Sequence, residues 1–148
     1  MLVGHNFDSI AGYQRSLERG IERLGSPTWK FLLEYIGEAE VAPEDCFFTN
    51  GLMGLQRTSA RGKLRCSAEF RYECARFLAW QIKFVAPRLI VVLGSDAERA
   101  FGDVASDPPA ITLRHPMSLI YVKKDARRAL VMQQAGSMRS ALRALSMG

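Results

Sequence analysis

Cysteine and long apolar runs are scarce in this chain, and each shortage excludes a class of protein. The three cysteines among 148 residues, Cys46, Cys66 and Cys74, form an odd and unpatterned set. They argue against a disulfide framework and favour free thiols in a reducing compartment, so we expect a cytoplasmic protein. The longest apolar run, residues 89–93, is too short to cross a bilayer, and no signal peptide is visible at the N-terminus. We therefore expect no membrane association.

Length and composition fit one ordinary globular domain spanning residues 1–148. Hydrophobic residues make up 48% of the chain and charged residues 24%, which is typical of neither a disordered nor a fibrous protein. A domain of this length buries about 68–70% of the surface that its unfolded chain exposes. The net charge of +5 indicates a mild attraction to polyanions, although many proteins this basic bind none.

A basic segment follows the second predicted strand. The segment between residues 50 and 67 contains three glycines and no acidic residue. Two interpretations stay open, a mobile loop that contacts nucleic-acid phosphates and a plain solvated loop. The basic residues that would make the phosphate contacts are Arg57, Arg61, Lys63 and Arg65.

The apolar pattern predicts strands that alternate with helices. The first helix would place Leu17, Ile21 and Leu24 on one face, and Ser95 would cap the fourth helix. The alternation predicts a three-layer α/β/α sandwich around a small, mainly parallel, four-stranded sheet. The predicted strands are residues 2–3, 46–49, 88–94 and 110–113, and the predicted helices are residues 13–24, 27–37, 68–85, 95–101 and 125–145.

Polar residues follow the predicted strands, at the edge where such sheets bind ligands. His5 and Asn6 follow the first strand, Asn50 the second, and His115 the fourth. We therefore expect two asparagines and two histidines to meet at one rim. Structural alternatives stay open for each: Asn6 as a helix cap, Asn50 as a turn residue with a left-handed backbone, and His115 as a turn residue before Pro116.

Taken in order, these segments resemble the motifs of the uracil-DNA glycosylase superfamily, and the resemblance covers nearly the whole chain. It implies an enzyme that flips uracil, or another deaminated base, out of DNA and hydrolyses its glycosidic bond in base excision repair. The matching segments are Gly4-His5-Asn6-Phe7, Phe47-Phe48-Thr49-Asn50, Pro87-Arg88-Leu89-Ile90-Val91-Val92-Leu93-Gly94 and His115-Pro116-Met117-Ser118-Leu119, with Phe31-Leu32-Leu33-Glu34-Tyr35-Ile36-Gly37 resembling the helix before the second strand.

The resemblance implies two catalytic residues. His115 would donate a hydrogen bond to the oxyanion that develops on the departing base, and a neutral imidazole is adequate for that role. Asn6 would position the attacking water, in a place where some branches of the family have aspartate. An asparagine orients water but is a poor general base, so stabilisation of the leaving group would carry most of the catalysis.

The resemblance also implies binding residues. Asn50 would read the uracil edge with its amide, beside Gly4, His5 and Phe7. Leu119 falls where the family inserts an apolar wedge into DNA, although packing against Ile120 or Tyr121 is the alternative. The expected DNA contacts outside the base pocket are Ser95, Pro116, Ser118, Leu119 and the four basic residues of the 50–67 segment.

Some positions depart from the family pattern. Phe7 stands where most branches have proline, and Met117 where serine is usual. No residue cleanly matches the phenylalanine that stacks on uracil, and Tyr13 and Trp29 are the nearest candidates. Cys74 lies near the last of four cysteines that hold an iron–sulfur cluster in one branch, but the N-terminal pair is absent. We therefore predict no metal and no cofactor.

Three functions remain open at this point. The first is a monomeric uracil-DNA glycosylase, or a relative acting on another deaminated base. The second is a superfamily member that has lost catalysis and serves as a nucleic-acid-binding module, which the departures from the pattern favour. The third is a small α/β domain that binds a free nucleobase or nucleotide.

Overall fold

The computed structural model describes residues 1–6, 10–21, 25–54, 66–102, 104 and 108–147. Within these ranges no helix is both long and apolar enough to span a membrane. The elements in chain order are β1 (Leu2–Asn6), α1 (Ile10–Arg19), α2 (Pro27–Glu38), a 3₁₀ turn (Pro43–Asp45), β2 (Phe48–Leu52), α3 (Ala68–Val85), β3 (Ile90–Leu93), α4 (Ser95–Phe101), β4 (Ala110–Leu113), a 3₁₀ helix (Pro116–Tyr121) and α5 (Lys124–Ser146).

The four strands form one parallel sheet in the order β2-β1-β3-β4. Helices cover both of its faces, which confirms the predicted three-layer α/β/α sandwich. Because every strand runs in the same direction, their carboxyl ends meet at one edge of the sheet. That edge is where the candidate residues of β1, β2 and β4 are found.

Alternate side chains of β3 enter two separate cores. Val91 and Leu93 pack with α2 and α5 on one face, and Ile90 and Val92 pack with α3 and α4 on the other. All four are buried, as the continuous apolar run predicts for a strand covered on both sides. β3 therefore lies between the two helical layers and holds the sheet whose carboxyl edge carries the rim residues.

The second strand begins and ends later than its apolar run predicts. The expected strand, residues 46–49, was taken to be buried on both faces, but β2 begins at Phe48 and ends at Leu52. Phe47 is exposed, and only Gly51 and Leu52 are buried. The prediction was wrong because β2 is an edge strand whose length is set by pairing with β1, out to the Asn6–Leu52 partners.

The first helix turns its apolar face outward. Leu17 and Ile21 were expected to share one face, but they are 60% and 71% exposed. The helix ends at Arg19, and Leu24 lies outside the described residues. Its opposite face, which includes Gly12 and Ser16, lines a cleft instead. A strong apolar periodicity therefore marks the solvent side of this helix.

Candidate functional site at the carboxyl edge of the sheet

Asn50 lies inside β2, directly beside Gly4 of β1. The two residues are register partners, and a Cβ atom placed on Gly4 would lie 2.5 Å from the Asn50 Oδ1 atom. Only a residue without a side chain at position 4 leaves room for the Asn50 amide. Among the described non-glycine residues, positive φ angles occur at Glu40 and Ala86, so Asn50 does not have the left-handed backbone of the turn alternative.

His115 follows β4 and caps the Pro116–Tyr121 3₁₀ helix. The Met117 N–H donates to the His115 Nδ1 atom at 3.1 Å. The Ser118 hydroxyl and N–H both donate to the His115 carbonyl oxygen, at 2.7 and 3.0 Å. Because Nδ1 accepts a hydrogen bond, the proton of the neutral ring resides on Nε2. The loop therefore supplies a hydrogen-bond donor at Nε2.

Burial lowers the pKa of His115 below its usual value of 6.5. The Asp96 carboxylate acts against this shift, and the neighbouring His5 ring lowers the pKa further. Desolvation is the largest of the three causes, so the ring is neutral at neutral pH. A neutral imidazole with its proton on Nε2 matches the donor role that the sequence predicts for His115.

Gly94 allows β3 and β4 to approach each other next to His115. Its φ is +88°, and a Cβ atom there would lie 2.8 Å from the His115 Cβ. Its N–H donates to the Leu113 carbonyl at 2.8 Å. Gly94, and not Ser95 as predicted, occupies the N-cap position of α4, because only glycine tolerates this backbone without strain.

A cleft of about 1150 Å³ runs along this edge. It is larger than the usual 300–1,000 Å³ of small-molecule pockets, and thus has room for more than a single base. None of its described lining residues is Asp or Glu. The predicted site residues that the structure brings together in it are Gly4, His5, Asn6, Asn50 and His115.

Aromatic rings also line the cleft. Trp29 packs edge-on against Phe48, with ring centroids 5.0 Å apart and an interplanar angle of 70°. Tyr13, the other candidate for stacking on a base, is not among the lining residues. Phe77 of α3, which is 46% exposed, is a lining residue that the sequence predictions did not include.

Two further lining residues, Arg15 and Arg19 of α1, were also missed. The sequence reasoning considered only the apolar face of this helix. Their spacing of four residues places both on the polar face, which is the one signal that could have identified them.

Leu119 does not lie where a DNA wedge is needed. Its side chain is fully buried in the core between α2 and α5, and Pro116 is buried as well. Leu119 and Pro116 were predicted to contact DNA. The structure contradicts this, because the 3₁₀ helix packs against α2 and turns both side chains inward. Ile120 and Tyr121 of the same 3₁₀ helix are exposed.

The remaining predicted DNA contacts have different positions. Ser95 is exposed at the start of α4 and is not among the residues lining the cleft, and the hydroxyl of Ser118 is used within the His115 loop. The residues that fall outside the described ranges are Phe7, Arg57, Arg61, Lys63 and Arg65.

Among the described residues, the cysteines form neither a disulfide nor a metal site. Cys46, Cys66 and Cys74 are free thiols. Throughout the described part of the chain, no group of three His, Cys, Asp or Glu residues is arranged to hold a metal ion. Cys74 is buried and accepts a hydrogen bond from the Met53 N–H at 3.3 Å.

The fold is that of α/β proteins with a parallel sheet, a class in which ligands commonly bind at the carboxyl edge, and this chain presents a histidine and two asparagines at that edge. The family model of the uracil DNA glycosylase superfamily matches residues 4–135, a range that contains the carboxyl end of β1, the other three strands and the rim residues. The chain therefore belongs to the uracil DNA glycosylase superfamily. A comparison with curated proteins gives no match. Membership places the chain among the DNA glycosylases, hydrolases that act on DNA in base excision repair.

Proposed function

We propose that this protein removes uracil, or a related deaminated base, from DNA by hydrolysing the bond between base and deoxyribose. The observation that carries the proposal is the shared cleft of Asn6, Asn50 and His115, in which the neutral His115 ring holds its proton on Nε2. Membership of the superfamily supports the reaction type.

His115 stabilises the leaving group. As the glycosidic bond breaks, its electron pair moves onto the base, and negative charge develops on a carbonyl oxygen of the pyrimidine. The Nε2–H of His115 donates a hydrogen bond to that oxygen. One preorganised donor of this kind is worth about 3–4 kcal/mol in the transition state. Water then adds to the sugar cation and releases a proton to solvent, leaving free base and an abasic site.

Asn50 supplies specificity for the base. Its amide presents one acceptor oxygen and one donor NH₂ group, which complement the N–H and carbonyl groups on the edge of uracil. Cytosine presents the opposite pattern there and leaves a buried group unpaired, at a cost of about 1–3 kcal/mol. Gly4 keeps the Asn50 amide in this position.

Asn6 orients the attacking water. It lies at the end of β1 and lines the same cleft as His115. A neutral amide accepts a hydrogen bond from water but does not remove its proton effectively. This fits a reaction in which departure of the base precedes attack by water.

The test is a single-turnover assay on oligonucleotides containing uracil, hypoxanthine or xanthine, followed by alkaline cleavage of abasic sites. We expect wild type to release uracil, and His115→Ala to slow the reaction by about 10²–10³-fold. Asn50→Ala and Gly4→Ala should both reduce the rate, because one removes the amide and the other displaces it. Gln133→Ala removes an exposed amide on α5 and serves as the matched control, with an unchanged rate.

The result that contradicts the proposal is a wild-type protein that leaves every modified base in place at high enzyme excess. Met117, which lines the cleft in place of the usual serine, is the observation that favours the inactive alternative. An intact oligonucleotide combined with salt-dependent DNA binding would support a nucleic-acid-binding module. Uracil binding without DNA affinity would support a nucleobase-binding domain.

The same proposal includes a monomeric protein in the cytoplasm. The three free thiols support a reducing compartment. Size-exclusion chromatography with light scattering tests the monomer, and a dimer at micromolar concentration would contradict it.

A further inference from the structure

The helix α1 presents two arginines to the cleft. Residues 12, 15, 16 and 19 recur at the spacing of one helix face, and all four line the cleft. Gly12 and Ser16 are small, so Arg15 and Arg19 are the only long side chains on this face. Four residues along a helix correspond to a rise of about 6 Å. The two guanidinium groups therefore stand one turn apart along the same wall.

Both arginines are exposed, and neither forms an ion pair with a carboxylate of the described residues. No Asp or Glu is found among the described lining residues either. The arginines that do form ion pairs, all of them away from the cleft, are Arg76, Arg99, Arg128 and Arg139. The positive charge of Arg15 and Arg19 is thus not balanced by any described carboxylate of the cleft wall.

We propose that Arg15 and Arg19 bind two phosphodiester groups of the DNA strand on either side of the nucleotide whose base enters the cleft. A guanidinium binds phosphate through two parallel hydrogen bonds, and two of them in a row select a strand over an isolated anion. The short side chain of Ser16, which lies between the two arginines on this face, lets the sugar–phosphate backbone approach the helix. That the ligand is DNA rests on the proposed function, whereas the pair of phosphate contacts has its own readout.

The experiment compares the double variant Arg15→Gln/Arg19→Gln with wild type in DNA binding over a range of salt concentrations. Each phosphate contact contributes about 0.9 to the slope of log affinity against log salt on duplex, and about 0.7 on single strands. We expect the slope to become shallower by about 1.8 on duplex or 1.4 on single strands. The enzyme concentration that gives half of the maximal single-turnover rate should rise in the double variant, because its binding of the DNA strand is weakened.

The matched control is Arg88→Gln/Arg143→Gln, which removes the same charge from the opposite end of the sheet. Arg88 precedes β3 and donates a hydrogen bond to Ser146 at the end of α5, the helix that contains Arg143. Both residues of the control variant therefore lie far from the carboxyl edge. We expect its salt slope to equal that of wild type. A melting temperature close to wild type in both variants ensures that folding is not the cause of any difference.

The outcomes separate this proposal from the proposed function. If wild type cleaves uracil DNA and Arg15→Gln/Arg19→Gln keeps the full salt slope, the phosphate contacts are refuted and the glycosylase proposal stands. If wild type cleaves no modified base, but the salt slope becomes shallower in Arg15→Gln/Arg19→Gln and not in the control variant, the phosphate contacts stand and the glycosylase proposal fails. Free uracil, which carries no phosphate, should bind wild type and the double variant alike. A loss of uracil binding in the variant without a change in salt slope would overturn the assignment of the two arginines to phosphates.

Discussion

At His115, the backbone of the following loop decides which ring nitrogen carries the proton. The Met117 N–H occupies Nδ1, so protonation of the ring would replace an acceptor with a second donor facing this N–H. Burial opposes the charged ring as well. The residue departing from the family pattern, Met117, thus contributes through its backbone, which any non-proline residue supplies.

This arrangement predicts a pH dependence of stability. Because the native pKa of His115 lies below 6.5, its value in the unfolded chain, the unfolded state binds a proton first as the pH falls. The contribution of the neutral His115 ring to the free energy of unfolding is therefore fully present above pH 6.5, and it declines as the pH falls toward the native pKa. We expect wild type to lose free energy of unfolding from pH 7.5 to pH 5.5 by more than His115→Gln does, since glutamine keeps an acceptor but does not titrate.

Urea unfolding at each pH measures this difference. Every other ionisable group is shared by the two proteins, so subtraction isolates His115. Two curves that run parallel across the whole pH range would show that the native ring is as easily protonated as in the unfolded chain.

Among the elements, the Pro116–Tyr121 3₁₀ helix has one buried side and one exposed side. Leu119 is fully buried, whereas Tyr121, two residues later, is 85% exposed. We expect Leu119→Ala to lower the free energy of unfolding by about 2–5 kcal/mol, through lost burial and a cavity. Tyr121→Ala, the control, should change it by no more than about 0.5 kcal/mol.

Denaturant unfolding and DNA-binding measurements on the two variants test whether Leu119 is a core residue or a wedge that enters DNA. A stable Leu119→Ala protein that loses its DNA affinity would restore the wedge role. A destabilised protein whose folded fraction binds DNA normally agrees with the buried position.

Other elements show where periodicity is reliable. α3 and β4 begin and end at the residues that the sequence predicts, because caps and breakers bound them: Ser67 accepts from the Phe70 N–H, and Ala86 and Pro87 follow α3. Phe77 stacks on Trp80 at the surface of α3, with ring centroids 5.7 Å apart, although both are apolar. Helical spacing alone does not distinguish a buried row of apolar residues from an exposed one.

At the scale of the whole molecule, the net charge is +5, and the segment at residues 50–67 contains four basic residues and no acidic one. If the four basic residues of that segment each neutralise one phosphate, replacing all four by glutamine should make the salt slope on duplex DNA shallower by about 3–4. Fluorescence anisotropy across a salt series measures this change. The variant Arg88→Gln/Arg143→Gln again serves as a control, since it removes two positive charges far from the carboxyl edge.

An unchanged slope in that quadruple variant would leave the segment as a solvated loop. Combined with the α1 variant, the two losses should add, because each counterion is released independently. The sum then reports how many phosphates the protein contacts.

The sequence by itself determined the α/β class, most of the elements and the convergence of His5, Asn6, Asn50 and His115 on one rim. These follow from local patterns, and from the rule that parallel strands bring their carboxyl ends together. The tertiary structure alone decided the outward turn of α1, the burial of Leu119, the length of β2 and the space that Gly4 leaves for Asn50. The physical reason is that each of these depends on contacts between residues distant in the chain, which no local pattern of hydrophobicity encodes.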